Sequence, residues 1–221
     1  MYGCLRAVLL LRQILQNNRV ISFIDGFNLY HAIDDLNKNN LKWVNLWGLS
    51  SAFITPSTDT LENVYYFTAY ATWLPDRHLR HREYVKALNH YGVTTVLGHF
   101  KEKDMKCNNC SRIWTTHEEK ESDVNIAIHL LNEAHLDNFD KAIVITADSD
   151  LVPAIEMVKM NFPNKEIIVA TPPNRYRIAR EIQSLVTTRK IKEKHLSNNL
   201  LPEIKHDLDN NIIFERPMNY Q

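Results

Sequence analysis

Only five glycines stand among the 221 residues, and none of their spacings builds a glycine-rich phosphate loop. That absence argues against P-loop nucleotide hydrolysis and against a dinucleotide-binding oxidoreductase fold. Cysteine is almost as scarce: Cys4, Cys107 and Cys110 are an odd, sparse set that does not build a disulfide framework, which makes the cytoplasm the expected compartment. Net charge is also missing, because 26 Lys+Arg balance 26 Asp+Glu, which argues against bulk electrostatic capture of nucleic acid but not against a local basic patch beside an acidic site. Long apolar runs are lacking too. Val8 to Leu11 is broken by Arg12 and is far too short to span a membrane.

The same run makes a poor secretory signal, since no small-residue cleavage site follows it. Residues 1–18 read as an N-terminal appendage, either a short helix or poorly ordered. One explanation is a start codon placed too early, in which case native protein yields no tryptic peptide from residues 1–12; finding one refutes it.

What is present is a chain with 44% apolar and 24% charged residues, the make-up of one domain able to bury a sizeable core. Strands are expected at Arg19–Asp25, Asn63–Thr72, Val93–Gly98, Lys141–Thr146 and Glu166–Ala170, where apolar and β-branched residues concentrate. Helices are expected at Asn28–Leu36, Leu46–Phe53, Pro75–Asn89, Ser122–His135, Val152–Met160 and Arg175–Val186. Residues 101–119 read as a polar, irregular loop holding a cysteine pair, and the tail 191–221 is charged and polar. Alternating strands and helices predict an α/β fold: three layers, α/β/α, around a mainly parallel sheet of about five strands. Ligands of such sheets sit beyond the carboxyl ends of the strands.

Asp25, Asp148 and Asp150 fall just after expected strands, and Asp123 falls in the first turn of an expected helix. Hard divalent cations prefer carboxylate oxygens. Phosphodiester hydrolysis benefits from such ions, which lower the pKa of an attacking water and neutralise charge on the leaving oxygen. Crowded carboxylates in turn need a counter-charge to ionise together. The plainer reading is that Asp123, Asp148 or Asp150 simply caps a helix. Two acids in one short loop exceed what a single cap requires. A phosphatase with an aspartate nucleophile wants a second Asp two residues after Asp25, where Phe27 stands, and a topoisomerase–primase site wants a Glu after the first strand.

Three segments resemble a known family. Ile21–Tyr30 (ISFIDGFNLY), Glu119–Leu130 (EKESDVNIAIHL) and Ala142–Pro153 (AIVITADSDLVP) look like the three motifs of NYN domains, relatives of the PIN nucleases that include the LabA-like proteins. The similarity spans about residues 19–190. It implies a Mg²⁺- or Mn²⁺-dependent ribonuclease-like site with Asp25, Asp123 and Asp148 as metal ligands, Asp150 beside them and Asn28 as a polar partner. The glycine usual after the Glu-Lys pair is replaced by Glu121. The function implied is endonucleolytic hydrolysis of RNA, single-stranded by expectation. The alternative is a non-catalytic RNA-binding or regulatory protein on the same scaffold, and a homodimer is one option for its assembly.

Cys107 and Cys110 form a CxxC that His99 and His117 would complete to a Cys₂His₂ zinc set; the competing reading is two reduced thiols in a loop. Arg77, Arg80 and Arg82, followed by Lys101, Lys103, Lys120 and Arg175, are candidates to track a phosphate backbone, against the reading that they form a solvated face. Tyr70, Trp73 and Trp114 are candidates for base stacking or for core packing.

Overall fold

The computed structural model describes residues 17–107, 109–177 and 179–220, so most of the expected appendage lies outside the described residues. Strand β1 (Asn18–Asp25) leads into helix α1 (Gly26–Asp34), a 3₁₀ turn (Asn39–Trp43) and helix α2 (Leu46–Ser51). Strand β2 (Asp59–Thr68), helix α3 (Pro75–His90) and strand β3 (Val93–Leu97) follow. Strands β4 (His99–Lys106) and β5 (Ile113–Lys120) then precede helix α4 (Ser122–His135). Next come strand β6 (Lys141–Ile145), helix α5 (Val152–Asn161), strand β7 (Glu166–Thr171), helix α6 (Arg180–Leu185) and strand β8 (Thr187–Lys190). Helix α7 (Glu193–Ser197) and strands β9 (Ile204–His206) and β10 (Ile212–Glu215) close the chain.

Six strands form one sheet in the order β3-β2-β1-β6-β7-β8, every neighbouring pair parallel. The fold is the expected three-layer α/β/α arrangement, with one strand more than the sequence delineates. The run VISFI stays apolar because both faces of β1 are covered. Val20 and Ile24 pack with Leu29, Leu46 and Leu88 of α1, α2 and α3, while Ile21 and Phe23 pack with Ile126, Ile155 and Ile182 of α4, α5 and α6. Each such fully buried side chain contributes about 1.5–3 kcal/mol of transfer free energy. The sheet grows outward from β1 on one side and from β6 on the other. At that reversal the following segments leave for opposite faces and open a crevice at the strands' carboxyl ends.

Several segments differ from expectation. Residues 101–119 are not an irregular loop but most of an antiparallel hairpin, paired from His99↔Lys120 to Lys106↔Ile113. Both faces of HFKEKDMK are largely exposed, so the alternation that marks a half-buried strand is missing. Strand β2 starts earlier than expected because buried Asp59 accepts hydrogen bonds from Asn18 (2.8 Å) and Lys141 (2.9 Å), which anchor a charged residue at a strand start. The expected helix from Arg175 shortens to Arg180–Leu185, with Asn174 at φ 61° in the turn before it. The tail is part of the domain: Val44 bridges Leu200, Trp43 donates its indole N–H to the Pro202 carbonyl at 2.9 Å, and Phe214 is fully buried against Trp43. Among the described residues no helix is long and apolar enough to cross a membrane.

Candidate active site

The crevice begins with Asp25, the last residue of β1. Its extended backbone (φ −69°, ψ 102°) stops the strand, and its Oδ1 accepts the Asn28 N–H at 2.9 Å, capping α1. Gly26 is required at the next position. A Cβ there would lie 2.4 Å from the Phe67 carbonyl oxygen and 2.7 Å from the Tyr66 ring, so α1 starts hard against β2. Asn28 then reaches across the crevice, its Oδ1 accepting the Ala147 N–H at 3.1 Å. One short motif, DGFN, thereby fixes the distance between the ends of β1 and β6.

Beyond β6, Thr146 donates its hydroxyl to Asp25 Oδ2 (3.0 Å) and accepts the Asp148 N–H (3.0 Å). Asp148 in turn accepts the Asp150 N–H at 3.0 Å and caps the 3₁₀ turn Ser149–Leu151. Asp148 is thus a cap and a member of the acidic group at once, so the two readings of this aspartate do not compete. The third arm comes from α4. Glu119 accepts the Ser122 N–H at 3.1 Å and sets the helix start, which places Asp123 in the first turn. Glu121 adopts φ 81° between them, a left-handed conformation that favours glycine, which accounts for the glycine that the resemblance leads one to expect there. Its carboxylate turns outward to His99 Nδ1 (3.2 Å) and does not line the cleft.

One carboxylate oxygen each from Asp123, Asp148 and Asp150 lies within 4.8 Å of the others. Among the described residues this is the one group of three or more His, Cys, Asp or Glu side chains positioned to hold a metal ion. Asp25 is not in that group: it is only 4% exposed, and each of its carboxylate oxygens accepts one hydrogen bond. Two of the three expected ligands, Asp123 and Asp148, thus fall in this group together with Asp150, and the third, Asp25, lines the same cleft as Asp123 and Asp148. Burial pushes the Asp25 carboxyl up to about 7 against its two hydrogen bonds, with Asp123 and Asp148 adding repulsion. Asp123 is also raised, first by burial and then by Asp148, Glu119 and Asp150. An all-carboxylate donor set with such mutual repulsion fits a hard divalent cation, which would reverse the penalty.

Asp25, Asn28, Asp123 and Asp148 line a cleft of about 340 Å³ together with Phe27, His31, Glu119 and Arg175. Of the candidate phosphate-binding residues, Arg175 alone is in that lining, where it is paired with Asp35. Arg77 and Arg82 are exposed on α3, and Arg80 is half-buried near Tyr220. Lys101 is exposed on the hairpin, where Lys103 and Lys120 are paired with Glu118 at 3.2 and 2.9 Å. The sequence reading missed Thr146, Glu119 and His31. Only Glu119 carried a signal, three residues before the helix-opening Ser122.

The candidate zinc set is not assembled. His99 sits at the base of the hairpin opposite Lys120, whereas Cys107 and Cys110 lie at its tip beyond Lys106↔Ile113. At about 3.4 Å per residue the two ends are roughly 24 Å apart, while zinc holds each ligand at about 2.0–2.3 Å. His117 is stacked on Trp73 instead, with ring centroids 3.6 Å apart and planes at 7°. Trp73 also meets Phe100 edge-on, and Phe100 meets Phe27 of the cleft, so this aromatic row fastens the hairpin to the site. Tyr70 packs on His78 and His81, and Trp114 stays exposed on the hairpin.

The parallel sheet, its reversal point and the carboxylates at that point define a domain of PIN-like architecture. The NYN domain model matches residues 19–188, and the chain belongs to the NYN domain family, part of the PIN-like nuclease superfamily. A curated relative, 6-hydroxy-3-succinoylpyridine 3-monooxygenase HspA of Pseudomonas putida, is 25% identical over a match covering 62% of this chain and 54% of that protein. The chain thus spans about half the length of that relative. A crystal structure of a protein of unknown function from Vibrio parahaemolyticus shares the fold with a TM-score of 0.53 at 16% identity, covering 84% of this chain and 98% of that one.

Proposed function

We propose that this protein is a Mg²⁺- or Mn²⁺-dependent endoribonuclease acting on single-stranded RNA. The observation that carries the reading is the convergence of Asp123, Asp148 and Asp150 at the reversal point of the sheet, where Asp123 and Asp148 line a cleft together with Asp25. These three carboxylates would hold the cation. When bound, a divalent ion supplies Lewis-acid polarisation of a phosphoryl oxygen and lowers the pKa of water. Asp25, Thr146 and Asn28 keep the two loops at fixed separation, so the ligand carboxylates are preorganised rather than gathered on binding. Arg175 at the cleft wall offsets the repulsion between an acidic site and a phosphodiester. RNA as the substrate follows the nuclease character of the family, and the cytoplasm suits the sparse cysteines.

The test is incubation of a 5′-labelled single-stranded RNA with purified protein and Mn²⁺, Mg²⁺ or EDTA. The expected result is internal cleavage that requires the ion and falls to background in Asp148→Asn, whose circular dichroism matches wild type. Binding without cleavage under every divalent ion, or undiminished cleavage by Asp148→Asn, refutes the reading; the first result favours a non-catalytic RNA-binding protein.

A further inference from the structure

A second, larger cleft of about 560 Å³ opens beside the acidic one, also beyond the carboxyl ends of the strands. Its walls are the segment after β7 and the end of β8 with the turn that follows. Three cations, Arg177, Lys190 and Lys192, line it, and all are exposed. Glu193 is the acid in the lining and is already paired with Lys38. Among the described residues no carboxylate lies within ion-pair distance of the three cations. The floor carries an aromatic ring: the Lys190 ammonium sits 3.9 Å from the centroid of Tyr176.

The two clefts are continuous in the chain and in the sheet. Arg175 lines the first, and its neighbours Asn174, Tyr176 and Arg177 line the second. The acidic cluster stands at the end of β6, and Lys190 ends β8, two strands away in the same parallel sheet. At about 4.8 Å per strand spacing the offset is roughly 10 Å, within reach of a few nucleotides of one strand. Tyr176 is half-buried and one face of its ring is covered by Lys190, which leaves the other face for a base; cations for phosphates beside a ring for a base are what a single strand needs.

We propose that this second cleft is the anchoring site for the RNA strand, holding the phosphates on one side of the cleavage point with Arg177, Lys190 and Lys192 and stacking a base on Tyr176. The assignment rests on the nuclease reading of the acidic site. It gives a chain of zero net charge a local basic patch for a polyanion in the cleft next to the carboxylates.

The test is fluorescence anisotropy with a labelled oligouridylate of about 12 nucleotides, within the usual span of single-strand sites, in Ca²⁺ and over a salt series. Loss of three phosphate contacts lowers the salt slope by about 2, taking about 0.7 per contact. The R177Q/K190Q/K192Q variant is therefore expected to bind more weakly with a slope reduced by about that amount, while K190R/K192R keeps both. If the triple variant does not fold, Arg177→Gln and Lys192→Gln are measured singly, each with an expected slope change of about 0.7. Affinity and slope equal to wild type overturn the anchoring site, and Mn²⁺-dependent cleavage by wild type then leaves the nuclease reading standing. Wild-type protein that binds no oligonucleotide overturns both.

Discussion

Thr146 donates its hydroxyl to Asp25 Oδ2 and accepts the Asp148 N–H, both at 3.0 Å, so one side chain joins the ends of adjacent strands β1 and β6. Every atom of that hydroxyl is in use, and the residue is fully buried. Thr146→Val keeps the shape and removes both bonds. It is expected to cost about 2–3 kcal/mol, since a buried carboxylate oxygen and a backbone N–H each lose a partner. Urea unfolding measures this, and a loss below about 0.5 kcal/mol, within ordinary surface-substitution scatter, would show that the joint is not structural.

Asp25 makes stability depend on pH in a stated direction. The folded carboxyl is raised to about 7 from an ordinary 3.8. Its contribution to stability is therefore complete below about pH 3.8 and is lost as the pH rises through about 7. Across that window the loss is of order 4 kcal/mol. Asp25→Asn carries no charge to bury, so its melting temperature relative to wild type rises between pH 5 and pH 8 in EDTA. A pH-independent difference contradicts the raised carboxyl.

Glu121 stores strain at the entrance to α4. Glu121→Gly relieves φ 81° and is expected to stabilise the fold by about 1 kcal/mol, the left-handed penalty of a side chain less the added chain entropy of glycine. The contact to His99 that is lost with it is exposed and worth little. Chemical denaturation gives the value, and a destabilised variant refutes the strain.

Phe214, near the chain's end, is fully buried against Trp43, His90 and Tyr91. Phe214→Ala is expected to cost about 3–5 kcal/mol, the range for deleting a buried aromatic ring. A calorimetric melting temperature unchanged from wild type would mean that the tail does not belong to the domain.

The sequence exposes the parts of this molecule whose burial is written in composition. Strands β1, β6 and β7 are apolar on both faces and each ends where a turn residue or Asp stops it, so the sheet and its acidic edge are legible. Strand β4 is not, because HFKEKDMK is exposed on both sides and carries no period. The cysteine pair drew His99 and His117 into one imagined site because nearness in sequence ignores the length of a hairpin. The surroundings of Asp25 and Asp150 are hidden for a related reason: spacing places both carboxylates near the site but says nothing of which one is buried and bonded to Thr146 and the Asn28 N–H. Thr146 itself is unremarkable until the neighbouring strand end is seen beside it.

Asp123, Asp148 and Asp150 are positioned to hold one kind of ligand, a divalent cation. Calorimetric titration of Mn²⁺ into wild type, Asp148→Asn and Asp150→Asn tests it without reference to any substrate. Saturable binding by wild type is expected, with a loss of affinity of at least about 10-fold in each variant and of about 10–100-fold in Asp25→Asn, the range for a group that supports ligands. Isotherms that show no binding to wild type, or that superimpose for wild type and both ligand variants, would contradict it.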